Sequence, residues 1–135
     1  MDRVVRVRKG VLNRMLEEAR RSEDVECCGL LAGRDGEITE VLPAANMLNS
    51  PTAYEIAPAE LFKLFRAMRA ASLEHLGIYH SHPRGPNVPS PRDVEGAYYP
   101  DAAWFIISPA AHVRQSVRAF SIGDGRFAEL RIESF

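Results

Sequence analysis

The sequence predicts an α+β protein with a central mixed β-sheet flanked by helices. Segments that alternate apolar and charged residues, as strands do, are interspersed with segments whose apolar residues recur at helical spacing. The chain has 135 residues, of which 46% are hydrophobic and 26% are charged, and this is enough for one hydrophobic core. We therefore expect one domain that spans residues 1–135.

The first third of the chain is predicted to form a strand, a helix and a hairpin. Residues 4–8 alternate as a strand does, and residues 11–19 carry an apolar stripe opposite charged side chains, which predicts an amphipathic helix. Residues 27–33 form an apolar run, which Asp35-Gly36 separates from residues 37–42. Because an Asp-Gly pair favours a tight turn between paired strands, these two runs are predicted to form a β-hairpin.

A turn-rich segment and a second helix are predicted next. Residues 46–51 are rich in turn-forming residues. Residues 54–56 are predicted to form a short strand, with a place at the border of a binding cleft as the alternative. A helix is expected to begin near Pro58, because proline is favoured in the first helical turn, and to run to about residue 75. Residues 76–80 are typical of a buried strand.

The last part of the chain is predicted to contain one short helix and three strands. Proline and glycine prevent regular structure over residues 84–89, and Ser90 is expected to open a short helix. Residues 102–108 are strongly strand-like, and residues 116–122 and 126–132 are predicted to form a second hairpin. This order of elements favours one central sheet with helices packed on it.

Composition and charge exclude several classes of function. The net charge is −1 and no dense basic stripe occurs, so nucleic acid is not an expected partner. Residues 1–6 are charged and lack the apolar run of a signal peptide, and no apolar stretch approaches the roughly 20 residues needed to cross a bilayer. We expect a cytoplasmic protein without a membrane partner. The sequence leaves the oligomeric state open.

The two cysteines, Cys27 and Cys28, are adjacent in the sequence. A disulfide between neighbours is strained and closes no useful loop, so both are expected to be reduced thiols. Alternation along a strand would direct the two side chains to opposite faces of the sheet. We interpret them as small buried residues rather than as nucleophiles, and the sequence assigns them no other role.

One segment predicts a metal site formed by His80, His82 and Asp93. Side chains two apart on a strand point to the same side, so the two imidazoles should project together from the end of the strand. The loop that follows can return Asp93 as a third ligand. Two histidines and one carboxylate suit zinc and leave a fourth position for water, as in a catalytic site, although iron or manganese also accept such ligands.

Helix capping also explains the presence of Ser90 and Asp93 without a metal. Ser90 precedes Pro91 at the first helical position and Asp93 follows three residues after it, as in a capping box. A cap and a metal site are compatible, because a helix start can hold Asp93 in place. The full spacing, His-x-His followed by seven residues, Ser, two residues and Asp, is far more specific than either histidine alone.

This spacing resembles the signature of the JAMM metallopeptidases, also called the MPN+ or Mov34/PAD-1 family. The segment Glu26-Cys27-Cys28-Gly29-Leu30-Leu31-Ala32-Gly33 is similar to the upstream glutamate segment of that family. The resemblance extends from residue 4 to about residue 108, and the chain is most similar to the compact bacterial members. It implies a cytidine-deaminase-like MPN domain.

The resemblance also implies a role for each site residue. His80, His82 and Asp93 would bind Zn2+, Glu26 would act as the general base, and Ser90 would stabilise the oxyanion. The residues alone do not determine the base, because Glu26, Glu55, Glu95 and Asp101 all qualify, and Glu26 lies in an acidic stretch that would otherwise be expected to face solvent.

The implied activity is hydrolysis of an amide bond at the C-terminal Gly-Gly tail of a ubiquitin-like sulfur-carrier protein. Such a tail could lie extended beside a sheet edge. Two alternatives remain open at this point: a non-catalytic scaffold of the same fold, and a peptidase of the cell-wall or phage-tail type.

Overall fold

The computed structural model describes residues 3–135, so Met1 and Asp2 of the charged N-terminal segment lie outside the described residues. Ten elements follow one another in this part of the chain: β1 (Val4–Val7), α1 (Lys9–Arg21), β2 (Cys28–Arg34), β3 (Glu37–Ala44), α2 (Pro58–Ala70), β4 (Glu74–Ser81), α3 (Pro91–Glu95), β5 (Ala103–Ile107), β6 (Val117–Gly123) and β7 (Arg126–Ser134).

The strands of the described chain form one mixed sheet in the order β1-β3-β2-β4-β5-β6-β7. β1 runs parallel to β3 and to β7, and β4 runs parallel to β5, whereas the other neighbours are antiparallel. The mixed sheet that the sequence predicted is confirmed. Because β1 pairs on both sides, the sheet also curls into a closed barrel, which the sequence did not indicate.

Both predicted hairpins are confirmed by their turn geometry. Asp35 and Gly36 have φ of 55° and 75°, and Asp124 and Gly125 have φ of 53° and 72°. Two successive positive φ angles define the turn whose twist matches that of paired strands, and Asp-Gly adopts it readily. These short turns set the β2–β3 and β6–β7 registers.

Helices cover opposite faces of the central strands. Met15 of α1 packs with Tyr79 and Phe105 on one face, whereas Met68 of α2 packs with Ile78 and its neighbours on the other. Because β4 and β5 are buried on both faces, they have continuous apolar runs rather than alternating ones. None of the helices in residues 3–135 combines the length and apolarity that a membrane crossing requires.

The second helix is shorter than the sequence predicted. It ends at Ala70 rather than near residue 75, because Ser72 adopts a positive φ of 56° and β4 already begins at Glu74. His75 therefore lies in the strand, where its Nε2 is 3.0 Å from the carbonyl oxygen of Gly77. The prediction that 76–80 is a strand is confirmed, with two further residues at its start and one at its end.

The strand predicted at residues 54–56 is absent from the structure, and this prediction was wrong. The segment is irregular, since the Asn46 side chain bonds the backbone groups on either side of Tyr54 that a strand partner would otherwise engage. Its position beside the histidines makes this loop part of the functional site, as described below.

Both thiols are buried, as the sequence predicted. Cys27 is 8% exposed and Cys28 is fully buried, with its Sγ 3.7 Å from the carbonyl oxygen of Ala44. Burial raises the pKa of Cys27 to about 11 and that of Cys28 to about 12. Neither side chain has the features of a nucleophile, because thiolate formation is suppressed at both.

We expect neither cysteine of the folded protein to react with a thiol-specific disulfide reagent at pH 8 on the minute timescale, because both are buried and protonated. Two thiols per chain should react once the protein is unfolded in guanidinium chloride. Absorbance titration with and without denaturant measures this. Rapid reaction of one thiol in the folded state would contradict the packing described here.

Candidate metal centre and active site

Pairing of β2 with β4 brings the distant parts of the site together. Cys28 lies opposite His80 in the antiparallel register, so Glu26, two residues before Cys28, comes next to His82, two residues after His80. Ser81 reinforces this junction, since its Oγ accepts the Cys27 N–H at 2.9 Å and its own N–H donates to the Cys27 carbonyl at 3.0 Å. Backbone pairing therefore holds together residues that are more than 50 positions apart in the sequence.

Three ligating groups converge at this end of the sheet. His80 Nε2 and His82 Nε2 are 3.1 Å apart, His80 Nε2 lies 3.2 Å from Asp93 Oδ1, and His82 Nε2 lies 3.1 Å from Asp93 Oδ2. Donor atoms about 2.0–2.1 Å from a tetrahedral zinc ion are separated by about 3.3 Å. The triangle of donor atoms therefore has the size that a zinc ion requires.

The hydrogen-bond roles of this triangle also favour a cation. If both Nε2 atoms carried protons for Asp93, two donors would face each other across 3.1 Å. Moreover, His82 Nδ1 is 2.8 Å from the carbonyl oxygen of Pro86, so its proton is held there and Nε2 of the neutral ring presents a lone pair. A lone pair on His82 Nε2 that faces the Asp93 carboxylate at 3.1 Å favours a cation between the two groups.

Asp93 is held in place by a capping box at the start of α3. The Ser90 Oγ accepts the Asp93 N–H at 3.1 Å, and Asp93 Oδ2 accepts the Ser90 N–H at 2.8 Å. The capping interpretation and the ligand interpretation of this motif are therefore compatible in the structure. Since the Ser90 hydroxyl accepts here, its own proton remains available to a further acceptor.

The loop between the histidines and α3 is tied down by Asn87. This side chain is 2% exposed, and its Nδ2 donates to the carbonyl oxygens of Gln115 and Ser116 at 2.7 and 3.2 Å. The loop is thereby anchored at the start of β6. With Asn87 fixed in this way, the loop leads back to the histidines and brings Asp93 beside them, as expected from the sequence.

Glu26 is buried, contrary to the expectation for an acidic surface stretch. It is 3% exposed, its N–H donates to the Ser50 carbonyl at 2.8 Å, and its carbonyl accepts from Asn46 Nδ2 at 3.0 Å. Its side-chain Oε1 is buried without a hydrogen-bond partner among the described residues. A buried carboxylate oxygen of this kind is suited to a water molecule or a substrate group.

Burial and nearby charges perturb the titration of the site. Burial raises the pKa of Glu26 to about 7 and lowers the pKa of His80. Burial would also lower the pKa of His82, but hydrogen bonds with Asp93 and Pro86 outweigh it and raise this pKa. For Asp93 burial acts in the opposite direction to its hydrogen bonds with both histidines, and these hold its pKa well below the usual range.

A cleft of about 600 Å³ opens beside Asp93. Its walls combine aromatic side chains, including Tyr54, Tyr98 and Trp104, with aliphatic ones and with charged groups such as Arg92. Of the three groups in the triangle of donor atoms, Asp93 lines this cleft. Concave sites lined by apolar groups with a few polar ones are typical of ligand binding.

A family model described as prokaryotic homologues of the JAB domain matches residues 8–122. The chain belongs to the prokaryotic JAB (MPN) family. This confirms the family that the His-x-His, Ser and Asp spacing indicated, and with it the fold class.

Two relatives and one solved structure illustrate the similarity. The chain is 36% identical to the CysO-cysteine peptidase of Mycobacterium tuberculosis (strain ATCC 25618 / H37Rv), with 93% of this chain and 88% of that protein covered. It is 37% identical to a probable TtuB-protein conjugate cleaving protease of Thermus thermophilus, with 91% and 79% covered. The solution structure of protein DSY2949 from Desulfitobacterium hafniense is 32% identical, with a TM-score of 0.84 and coverage of 98% and 92%.

All five residues predicted for the site lie at this junction, and the structure adds contacts of three further residues that the sequence did not identify. Ser81 joins the two strands, Tyr54 stacks on His80, and Asn46 binds the loop. Residues 46–51 were recognised only as turn-rich. The spacing of residues carries no signal for these contacts, because each joins segments that only the folded chain brings together.

Replacing Ser90 by alanine should lower the free energy of unfolding by about 1 kcal/mol, because the N-cap of α3 loses its acceptor. Denaturant unfolding of the metal-free protein measures the change. Ser90→Asn, which keeps a capping oxygen, is the control and should stay close to the wild type. Equal stability of the alanine variant would show that the cap contributes nothing.

Glu26→Gln should stabilise the metal-free protein increasingly as the pH rises. Since folding raises the pKa of Glu26 from 4.5 to about 7, its contribution to stability is complete below pH 4.5 and is lost as the pH rises through about 7. The glutamine side chain does not titrate, so the advantage of the variant should grow by up to about 3 kcal/mol between pH 4 and 8. Urea unfolding of chelator-treated protein at both pH values tests this, and a pH-independent difference would contradict it.

Proposed function

We propose that this protein is a zinc-dependent peptidase that hydrolyses an amide bond at the C-terminal Gly-Gly tail of a ubiquitin-like sulfur-carrier protein. The convergence of His80, His82 and Asp93 beside the buried Glu26 is the observation that carries the proposal. The names of two relatives, a CysO-cysteine peptidase and a probable conjugate-cleaving protease, support this substrate class.

The donor set fits zinc. Two imidazole nitrogens and a carboxylate oxygen provide three ligands, which leaves a fourth tetrahedral position for a reacting group. Zinc bound there would lower the pKa of water and polarise the substrate carbonyl. No group of four cysteine and histidine ligands, typical of a structural zinc site, accompanies it in residues 3–135.

Glu26 is suited to act as general base and then as general acid. Its buried carboxylate, which has a free acceptor oxygen among the described residues, is suited to accept a proton from the attacking water and to return it to the departing amine. The charges of His82 and Asp93 act on this carboxyl group, which is consistent with a position beside the metal ligands. The Ser90 hydroxyl, whose oxygen is held by the Asp93 N–H, can donate its proton to the carbonyl oxygen as negative charge develops there.

The substrate tail is expected to lie in the cleft beside Asp93. Strand β4, which carries His80, pairs with β2 and β5, so it offers no free edge for an added strand. The volume of the cleft accommodates a few extended residues, and a Gly-Gly tail has no side chains to obstruct its approach.

Glu26→Gln should retain stoichiometric zinc but lose carrier cleavage by at least about 100-fold, because the variant lacks the base. A carrier that ends in Gly-Gly-Cys, followed by mass spectrometry, measures the reaction, and elemental analysis measures the zinc. Glu23→Gln, an exposed position in the same acidic stretch, is the matched control and should retain full activity.

Other outcomes would decide between the alternatives. Full cleavage by Glu26→Gln would refute the assigned base. Wild-type protein without stoichiometric zinc and without activity would favour a non-catalytic scaffold. Hydrolysis of cell-wall peptides in the absence of carrier cleavage would favour a peptidase of that type.

A further inference from the structure

The two histidines of the metal centre are oriented in different ways. A metal-binding histidine normally donates its second ring N–H to an oxygen, and His82 does so to the Pro86 carbonyl. His80 is 1% exposed, yet its Nδ1 has no hydrogen-bond partner in the described part of the chain. Only the Nε2 side of the ring, which lies 3.2 Å from Asp93 Oδ1, has a polar partner, so the orientation of His80 must also depend on packing against its ring.

Tyr54 provides the contact that His80 lacks. The two ring centroids are 4.6 Å apart and the ring planes are inclined by 22°, which is a stacked arrangement. A ring held against one face of the imidazole restricts its rotation about χ2, and this rotation determines where Nε2 points. We propose that Tyr54 is a positioning residue that orients His80 toward the metal, an inference that rests on the proposed zinc site.

The position of Tyr54 is in turn set by Asn46. The Asn46 side chain donates from Nδ2 to the Ala53 carbonyl at 2.9 Å and accepts the Glu55 N–H at Oδ1 at 3.2 Å. It thereby binds the residues on both sides of Tyr54. A backbone bond from Met47 N–H to the Glu55 carbonyl at 2.8 Å closes the same loop.

The same carboxamide also supports the base. Asn46 Nδ2 donates to the Glu26 carbonyl at 3.0 Å, so its two N–H groups serve Ala53 and Glu26. One side chain therefore connects the segment that carries Glu26 with the loop that orients His80. This connection is a second link between the base and the metal ligands, in addition to the β2–β4 pairing.

The test uses variants that distinguish the contribution of the Tyr54 ring from that of its hydroxyl group and from that of the Asn46 hydrogen bonds. Tyr54→Phe keeps the stacking ring, Tyr54→Leu removes it, and Asn46→Asp replaces the donor Nδ2 with an oxygen that repels the two carbonyls. Asn49→Asp is the matched control, because Asn49 is exposed in the same segment and its side chain makes no hydrogen bond among the described residues.

Zinc affinity, measured by competition with a chelating dye, gives a readout that needs no substrate. We expect Tyr54→Leu to bind zinc about 10- to 100-fold more weakly than the wild type, and Tyr54→Phe to remain within about twofold. Asn46→Asp should weaken binding in the same direction, whereas Asn49→Asp should not. In carrier cleavage at saturating zinc, Tyr54→Leu should lower kcat.

Equal zinc affinity of Tyr54→Leu and Tyr54→Phe would overturn the inference. An increase in KM with unchanged kcat and zinc affinity would also overturn it, since Tyr54 would then act on the substrate in the cleft. If Tyr54→Leu does not fold by circular dichroism, the comparison of Asn46→Asp with Asn49→Asp decides. If the wild type cleaves no carrier, the proposed function fails, and the zinc measurements still decide the role of Tyr54.

Discussion

The antiparallel pairing of β2 with β4 is the constraint on which the rest of the site depends. It places Cys28 opposite His80, and this register brings Glu26 to the side of His82. A shift of one residue would turn every side chain of the strand to the other face. Ser81, the last residue of β4, reinforces the pairing with two hydrogen bonds to Cys27, just before β2. The base and two ligands are therefore positioned by backbone bonds rather than by flexible side chains.

The buried groups of this junction explain why it favours a cation. Glu26, His80 and Asp93 are removed from water, and burial of ionisable groups costs free energy unless opposite charges or hydrogen bonds compensate. Asp93 obtains this compensation from the histidines and from the Ser90 N–H. The Glu26 Oε1 has no such partner among the described residues, and the raised pKa of Glu26 reflects the free-energy cost of burying its negative charge. A divalent ion beside these groups would reduce that cost, and it would also favour the ionised, proton-accepting form of Glu26.

Two kinds of support meet at the metal centre. The strands and the capping box of α3 give rigid positions to the ligands themselves, whereas the irregular loop that begins at Asn46 adds the stacking contact of Tyr54. Because a loop has no sheet partner, its backbone groups must be bonded by side chains, and Asn46 performs this function. The same loop forms a wall of the cleft, so orientation of His80 and access of substrate depend on one segment.

Local features of the sequence determined the hairpins, the amphipathic helix, the strands at the centre of the sheet and the spacing that brings two histidines to one face. Asp-Gly turns and apolar periodicity act over a few residues, and so they can be predicted without the fold. The resemblance supplied Glu26, which composition would have assigned to the surface. Only the tertiary structure decided that the sheet closes, that Glu26 is buried, and that residues 54–56 form a loop rather than a strand. These features depend on contacts between segments far apart in the chain, such as Asn46 with Glu26 and Tyr54 with His80, for which local periodicity carries no signal.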